Sequence, residues 1–145
     1  MKARLELFKN IFEEFIPFNK YIGLKLLEVT EGYAKGVVPF KPELIGDPRI
    51  QAFHGGVISA AMDALGGLAG MTSLTSMDDK IVTVDMRIDY LRSARNTDLI
   101  IEATVVRSGN RIITTFMKAS RKDDNTVVAE GRGVYNVSRK GKSAE

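Results

Sequence analysis

The stretch AFHGGVISAAMDALGGLAG, residues 52–70, consists of small or apolar residues apart from two ionisable side chains, His54 and Asp63. His54 is also the only histidine of the 145-residue chain. Apolar residues at spacings of three and four predict one long buried helix here. A membrane span is not expected, because an aspartate at the centre of a bilayer costs about 2.5–3.5 kcal/mol.

The pattern before this helix predicts a helix, a hairpin and a loop. Apolar residues at helical spacing predict a first helix over residues 4–16, ended by Pro17. Two strands at 22–28 and 33–40 follow, joined by a turn that contains Gly32. The segment 41–53 is predicted to be irregular and leads to the quoted stretch.

After the helix the apolar pattern changes to a period of two, which is typical of strands. Three further strands are predicted at 99–106, 111–120 and 127–137, after a first strand at 82–90. The residues expected on the buried face of that first strand are Val82, Val84, Met86, Ile88 and Tyr90. A long central helix wrapped by a curved antiparallel sheet is therefore expected, which is an α+β domain.

Length and composition predict one domain over residues 1–138 and a disordered basic tail over 139–145. Hydrophobic residues make up 44% and charged residues 27%, which is typical of a soluble globular protein. The chain has no cysteine, so disulfides and cysteine-based metal sites are excluded and a cytoplasmic location fits. Charged residues interrupt the apolar N-terminus, so no secretory signal is predicted.

The positive charge is concentrated between Arg87 and Lys122, where eight Lys or Arg stand against three acidic residues. Such a surplus can bind a phosphate-bearing partner, although a solvated strand face explains it equally well. No recognised DNA- or RNA-binding motif accompanies the charge, so no nucleic acid partner is expected.

Asp63 lies on a stripe of small residues along the predicted helix, with Gly56, Ser59, Ala60, Gly66 and Gly70. Small residues let a sheet, a second chain or a ligand approach closely, and a carboxylate there is poorly hydrated. Asp63 is then a candidate base or nucleophile. A structural role, in which it accepts hydrogen bonds from a neighbouring loop, remains open.

His54, Gly55 and Gly56 stand where the loop becomes the helix. Free backbone N–H groups at a helix start stabilise negative charge, so an oxyanion hole is chemically available. The alternative is that the glycines serve the helix entry and that His54 is structural. One histidine without cysteine predicts no metal site, and neither a G-x-S-x-G elbow nor a phosphate loop is present.

HGGVISAAMD, VTVDMRIDYLRSA, RSGNRIITTFMKA and VVAEGRGVY together resemble the hotdog-fold acyl-CoA thioesterases, in the branch of phenylacetate-pathway and small human-type enzymes. The resemblance covers roughly residues 20–137. It implies that two subunits join their sheets into a homodimer, often within a homotetramer, with the active site at the dimer interface. The substrate implied is an acyl-CoA, whose coenzyme A is part of the substrate, and no separate cofactor is implied.

The resemblance also implies roles for individual residues. Asp63 matches the catalytic carboxylate, Gly55 the N–H that polarises the thioester carbonyl, and Thr83 a residue that positions water. His54 matches a residue that organises the loop. Segments that contact substrate in the family match Gly56, Tyr90, Arg92, Ser93, Arg95, Ser108, Gly109 and Arg111.

One position departs from the family pattern. Many members have an asparagine or glutamine six residues before the histidine, where this chain has Pro48, and Asp47 or Gln51 is a candidate substitute. The function expected is hydrolysis of acyl-CoA to free acid and CoA. A non-catalytic acyl-CoA binding module and a hotdog-type hydratase are the alternatives. The acyl group is open, because Met62, Leu65, Leu68 and Met71 either line an acyl pocket or fill the core.

Overall fold

The computed structural model describes residues 2–76 and 78–140. At the N-terminus, α1 (Lys2–Lys9) runs into a π-helical segment, Asn10–Phe15, and α2 (Pro17–Ile22) follows. The first helical run ends at Phe15, just before Pro17 as predicted, but the second helix was not predicted. Ile16 is extended, and Pro17 begins α2, where the N–H that proline lacks would have no partner anyway.

Six antiparallel strands form the main sheet in the order β1-β2-β6-β7-β8-β5. Their bounds are β1 Lys25–Thr30, β2 Tyr33–Val38, β5 Lys80–Tyr90, β6 Leu99–Ser108, β7 Ile112–Arg121 and β8 Val127–Ser138. The segment predicted to be irregular instead contains a 3₁₀ turn, Pro42–Leu44, and a small hairpin of β3 (Ile45–Asp47) and β4 (Ala52–Phe53). This hairpin brings the chain to the long helix.

The long helix, α3 (Gly55–Met71), packs against five strands of the main sheet. Met62, Leu65 and Leu68 are buried against that sheet, so these three fill the core. Met71 is 40% exposed. One helix wrapped by a curved antiparallel sheet confirms the expected hotdog architecture.

A β-bulge in β5 changes which residues of this strand face α3. Thr83 pairs with Tyr135 of β8 and Asp85 pairs with Val134, so Val84 is the extra residue. The prediction that Val82 and Val84 face the core is wrong, because they are 63% and 60% exposed. Thr83 faces α3 instead.

The chain beyond β8 is described only for Arg139 and Lys140. Both form ion pairs with the segment before β5, Arg139 with Asp79 and Lys140 with Asp78. The rest of the tail predicted to be disordered, 141–145, lies outside the described residues. None of the described helices combines the length and the apolar composition needed to cross a bilayer.

Candidate active site

His54 caps the start of α3 with its side chain. Its backbone is extended, and its Nδ1 accepts a hydrogen bond of 2.8 Å from the N–H of Gly56. A Cβ on Gly56 would lie 2.9 Å from that nitrogen, so glycine keeps the cap open. Gly46 is required for a similar reason, because a Cβ there would lie 2.6 Å from the Cα of His54. The imidazole of His54 therefore stabilises the start of α3.

Hydrogen bonds hold the peptide groups on both sides of Gly55, because the carbonyl oxygen of the preceding peptide, that of His54, accepts from the Val57 N–H at 3.0 Å. The hydroxyl of Tyr90, at the end of β5, donates to the carbonyl oxygen of Gly55 at 2.9 Å. The N–H of Gly55 itself makes no hydrogen bond within the described residues. A free donor at a helix start, carried by a fixed peptide, is the arrangement that an oxyanion hole needs.

Asp63 lies on the side of α3 that faces the sheet. One of its carboxylate oxygens, Oδ1, accepts hydrogen bonds from two hydroxyl groups. Thr83 Oγ1 donates to Asp63 Oδ1 at 2.7 Å. Tyr135 OH lies 3.4 Å from the same oxygen and 3.1 Å from the backbone carbonyl of Asp63. Across residues 2–76 and 78–140, Oδ2 accepts no hydrogen bond. Oδ1 is thus held by hydrogen bonds, and Oδ2 is available to accept a proton or to bind a ligand.

Tyr135 was not assigned a role from the sequence. It is 1% exposed, and burial together with the negative charge of Asp63 raises its pKa well above the usual value. Two glycines make room for it: a Cβ on Gly133 would lie 2.8 Å from the hydroxyl, and a Cβ on Gly66 would meet the same oxygen. The sequence signal was a tyrosine on the inner face of a strand, preceded by Gly131 and Gly133 at alternate positions.

Gly55 and Asp63 are far apart within one chain although both lie on α3. Asp63 is eight residues after Gly55, which corresponds to about 12 Å along a helix. An oxyanion donor and a base must both lie about 3 Å from the reacting groups of one thioester. The structure therefore does not bring these two residues together in one chain.

The residues expected to contact coenzyme A form two groups at opposite ends of the sheet. Arg92, Ser93 and Arg95 follow Tyr90, and the guanidinium of Arg121 donates to the Ser93 carbonyl at 2.6 and 2.9 Å. Ser108, Gly109 and Arg111 lie at or beside the turn between β6 and β7, next to the Lys80 end of β5. Gly109 and Arg111, with Arg107, line an open pocket of about 450 Å³.

Asp47 and Gln51, the two candidate substitutes for the amide side chain that Pro48 lacks, form side-chain hydrogen bonds to neighbouring residues of the same turn. Arg49 holds the carboxylate of Asp47 with its Nε at 3.0 Å and its Nη2 at 2.8 Å, and this lowers the pKa of Asp47. The side-chain amide of Gln51 donates to the carbonyl oxygen of Pro48 at 2.9 Å. Neither side chain is hydrogen-bonded to His54 or Gly55 in this chain.

A long helix inside a curved antiparallel sheet is the hotdog fold. The family model of the thioesterase superfamily matches residues 51–128. The chain belongs to the thioesterase superfamily, which confirms the predicted family and the class of reaction, hydrolysis of a thioester.

Individual relatives match nearly the whole chain. It is 33% identical to a putative esterase of Saccharolobus solfataricus, over 96% of both chains. It is 26% identical to the medium/long-chain acyl-CoA thioesterase YigI of Salmonella typhimurium, over 92% of this chain and 93% of that protein. A solved structure from Shewanella oneidensis, related to the thioesterase superfamily, is 30% identical with a TM-score of 0.82, covering 94% of this chain and 97% of the other.

Proposed function

We propose that the chain hydrolyses acyl-CoA thioesters at a site shared between two copies of itself. The observation that carries this proposal is the separation of Gly55 and Asp63 on α3. Gly55 is hydrogen-bonded to Tyr90 at one end of β5, and Asp63 is hydrogen-bonded to Thr83 towards the other end. The relative named as a medium/long-chain acyl-CoA thioesterase supports acyl-CoA as the substrate. A cytoplasmic location remains a prediction from composition.

The edge of the sheet provides the surface on which two copies would meet. β5 is an edge strand, with β8 on one side and no strand on the other among the described residues. Such an edge offers unpaired N–H and C=O groups to another strand. Val82 and Val84 add exposed apolar surface to it. This combination favours pairing with β5 of a second copy.

Antiparallel pairing of the two β5 strands would complete the site. With the two-fold axis at Arg87, and with Val84 left out of the register as the extra residue of the bulge, Tyr90 of one copy stands opposite Thr83 of the other. Tyr90 is bonded to Gly55 and Thr83 is bonded to Asp63. The free N–H of one copy and the carboxylate of the other then face one substrate. The same symmetry brings the arginines after Tyr90 to the edge that carries the β6–β7 turn of the second copy.

The reaction uses the carboxylate of Asp63 and the backbone N–H of Gly55. Asp63 Oδ2 takes the proton of a water molecule that attacks the thioester carbon, or attacks that carbon itself and forms a mixed anhydride that water hydrolyses after CoA has left. The carbonyl oxygen becomes negative in the tetrahedral intermediate, and the Gly55 N–H stabilises it. The C–S bond then breaks, CoA leaves as the thiolate and takes up a proton, and the acid is released. Arg92, Arg95 and Arg111 supply charge for the phosphates of CoA.

The test is thiol release from a panel of acyl-CoAs, beginning with medium and long chains and including short and aromatic acyl groups. We expect turnover by the wild-type protein and a loss of at least a hundredfold in Asp63→Asn, with CoA binding retained. Acyl-CoA binding without turnover would favour a binding module, and hydration of an enoyl-CoA would favour a hydratase. Either result would overturn the proposed hydrolysis.

A further inference from the structure

We propose that Tyr135 is a positioning residue for Asp63, holding one carboxylate oxygen so that the other faces the reacting atoms. This rests on the proposed function of Asp63. Thr83 and Tyr135 are directly paired across β5 and β8. Side chains opposite each other in antiparallel strands project from the same face. Both hydroxyls therefore reach the helix turn that carries Asp63.

The two hydroxyls differ in how firmly they are held. Thr83 lies on the exposed edge strand, whereas Tyr135 is buried in the second strand from the edge. Tyr135 also contacts two parts of Asp63, because its hydroxyl lies near both the backbone carbonyl and Oδ1. It thereby fixes the carboxylate relative to the helix backbone, which Thr83 alone does not do.

Packing alone does not account for the hydroxyl of Tyr135. A phenylalanine would fill the same apolar space, and a buried hydroxyl costs free energy unless it is hydrogen-bonded. The hydroxyl donates to two oxygen atoms, both of Asp63, and its third acceptor is Met117 Sδ at 3.9 Å. Gly66 and Gly133 are the sites where any side chain would collide with Tyr135. The absence of side chains at Gly66 and Gly133 thus leaves space for this hydroxyl beside Asp63.

The chain offers a matched control in Tyr33. Its hydroxyl also donates to a carboxylate, that of Glu102 at 2.7 Å. Both residues lie on the face of the sheet opposite α3, as the alternating burial of their strands shows. Tyr33→Phe therefore removes a tyrosine–carboxylate hydrogen bond without contact to Asp63.

The experiment compares the wild-type protein, Tyr135→Phe, Tyr33→Phe and Asp63→Asn with the best acyl-CoA of the panel. We expect kcat of Tyr135→Phe to fall about tenfold, equivalent to about 1.4 kcal/mol in the barrier, with KM within twofold. The ¹³C resonance of the Asp63 carboxyl, assigned by its loss in Asp63→Asn, should move in Tyr135→Phe. Tyr33→Phe should change neither kcat nor that resonance.

Three outcomes separate this proposal from the function on which it rests. Asp63-dependent turnover with an unchanged kcat and carboxyl resonance in Tyr135→Phe would overturn the role of Tyr135 alone. Turnover that survives in Asp63→Asn would overturn the catalytic role of Asp63 and the positioning role of Tyr135 together. If Tyr135→Phe does not fold, fluorotyrosine at position 135 keeps the hydroxyl and strengthens it as a donor; a carboxyl resonance that it leaves unmoved would also overturn the proposal.

Discussion

The hydroxyl of Tyr90 and the carbonyl oxygen of Gly55 lie 2.9 Å apart, which ties the end of β5 to the first turn of α3. The edge strand thus reaches both candidate catalytic groups, through Tyr90 at one end and through Thr83 at the other. A strand that forms a subunit interface would then also set the geometry of the site.

Proline at position 55 is expected to remove the oxyanion donor with little change to the helix. Gly55 is the first residue of α3, where proline is well tolerated, and the extended backbone of His54 suits a following proline. We expect kcat/KM of Gly55→Pro to fall about 10²–10³-fold below that of Gly55→Ala, which keeps the N–H. Steady-state kinetics measures the ratio, and equal activity of the two variants would exclude this N–H as the donor.

Mixed dimers of two inactive variants are expected to recover activity if the site is shared. A dimer of one Gly55→Pro chain and one Asp63→Asn chain contains one intact site and one doubly altered site. The mixed dimers should recover about half of the wild-type activity per dimer, because each has one intact site of two. Differently tagged chains, co-expressed and purified through both tags, provide the sample. No recovery in mixed dimers would place both groups in the same chain.

Charges on the edge strand are expected to weaken self-association. The double variant Val82→Lys, Val84→Lys places two lysines on the free edge of the sheet, where they oppose strand pairing. Leu27→Lys is the control, since Leu27 is 49% exposed on β1 at the opposite edge. Sedimentation velocity should show smaller species, and thiol release should fall, only for the β5 variant. Unchanged assembly of that variant would contradict pairing through β5.

The cap of α3 is expected to depend on an acceptor at position 54 rather than on histidine itself. His54→Ala removes the acceptor of the Gly56 N–H and should lower the free energy of unfolding by about 1 kcal/mol. His54→Ser places a hydroxyl acceptor at the same position and should lose less. Urea denaturation followed by circular dichroism compares the two variants. An equal loss in both variants, relative to the wild type, would contradict a need for an acceptor alone, and no loss in either would show that the side-chain cap contributes nothing measurable.

Local sequence patterns predicted most of this fold. The apolar periodicity predicted α3 and the strands of the main sheet, and the glycines after His54 predicted a helix start with a free donor. Two features could not be predicted in this way. The bulge at Val84 depends on pairing with β8, and a run of alternating valines is compatible with either register. The contact between Tyr135 and Asp63 joins residues 72 positions apart, so no local pattern indicates it.

The separation of Gly55 and Asp63 along α3 has a kinetic consequence for a shared site. An isolated chain would hold a donor without its base and a base without its donor. The rate per chain would then fall as the protein is diluted below the dissociation constant of the dimer, with the total rate approaching the square of the chain concentration. The activity per chain would therefore depend on the protein concentration, even when no effector is bound.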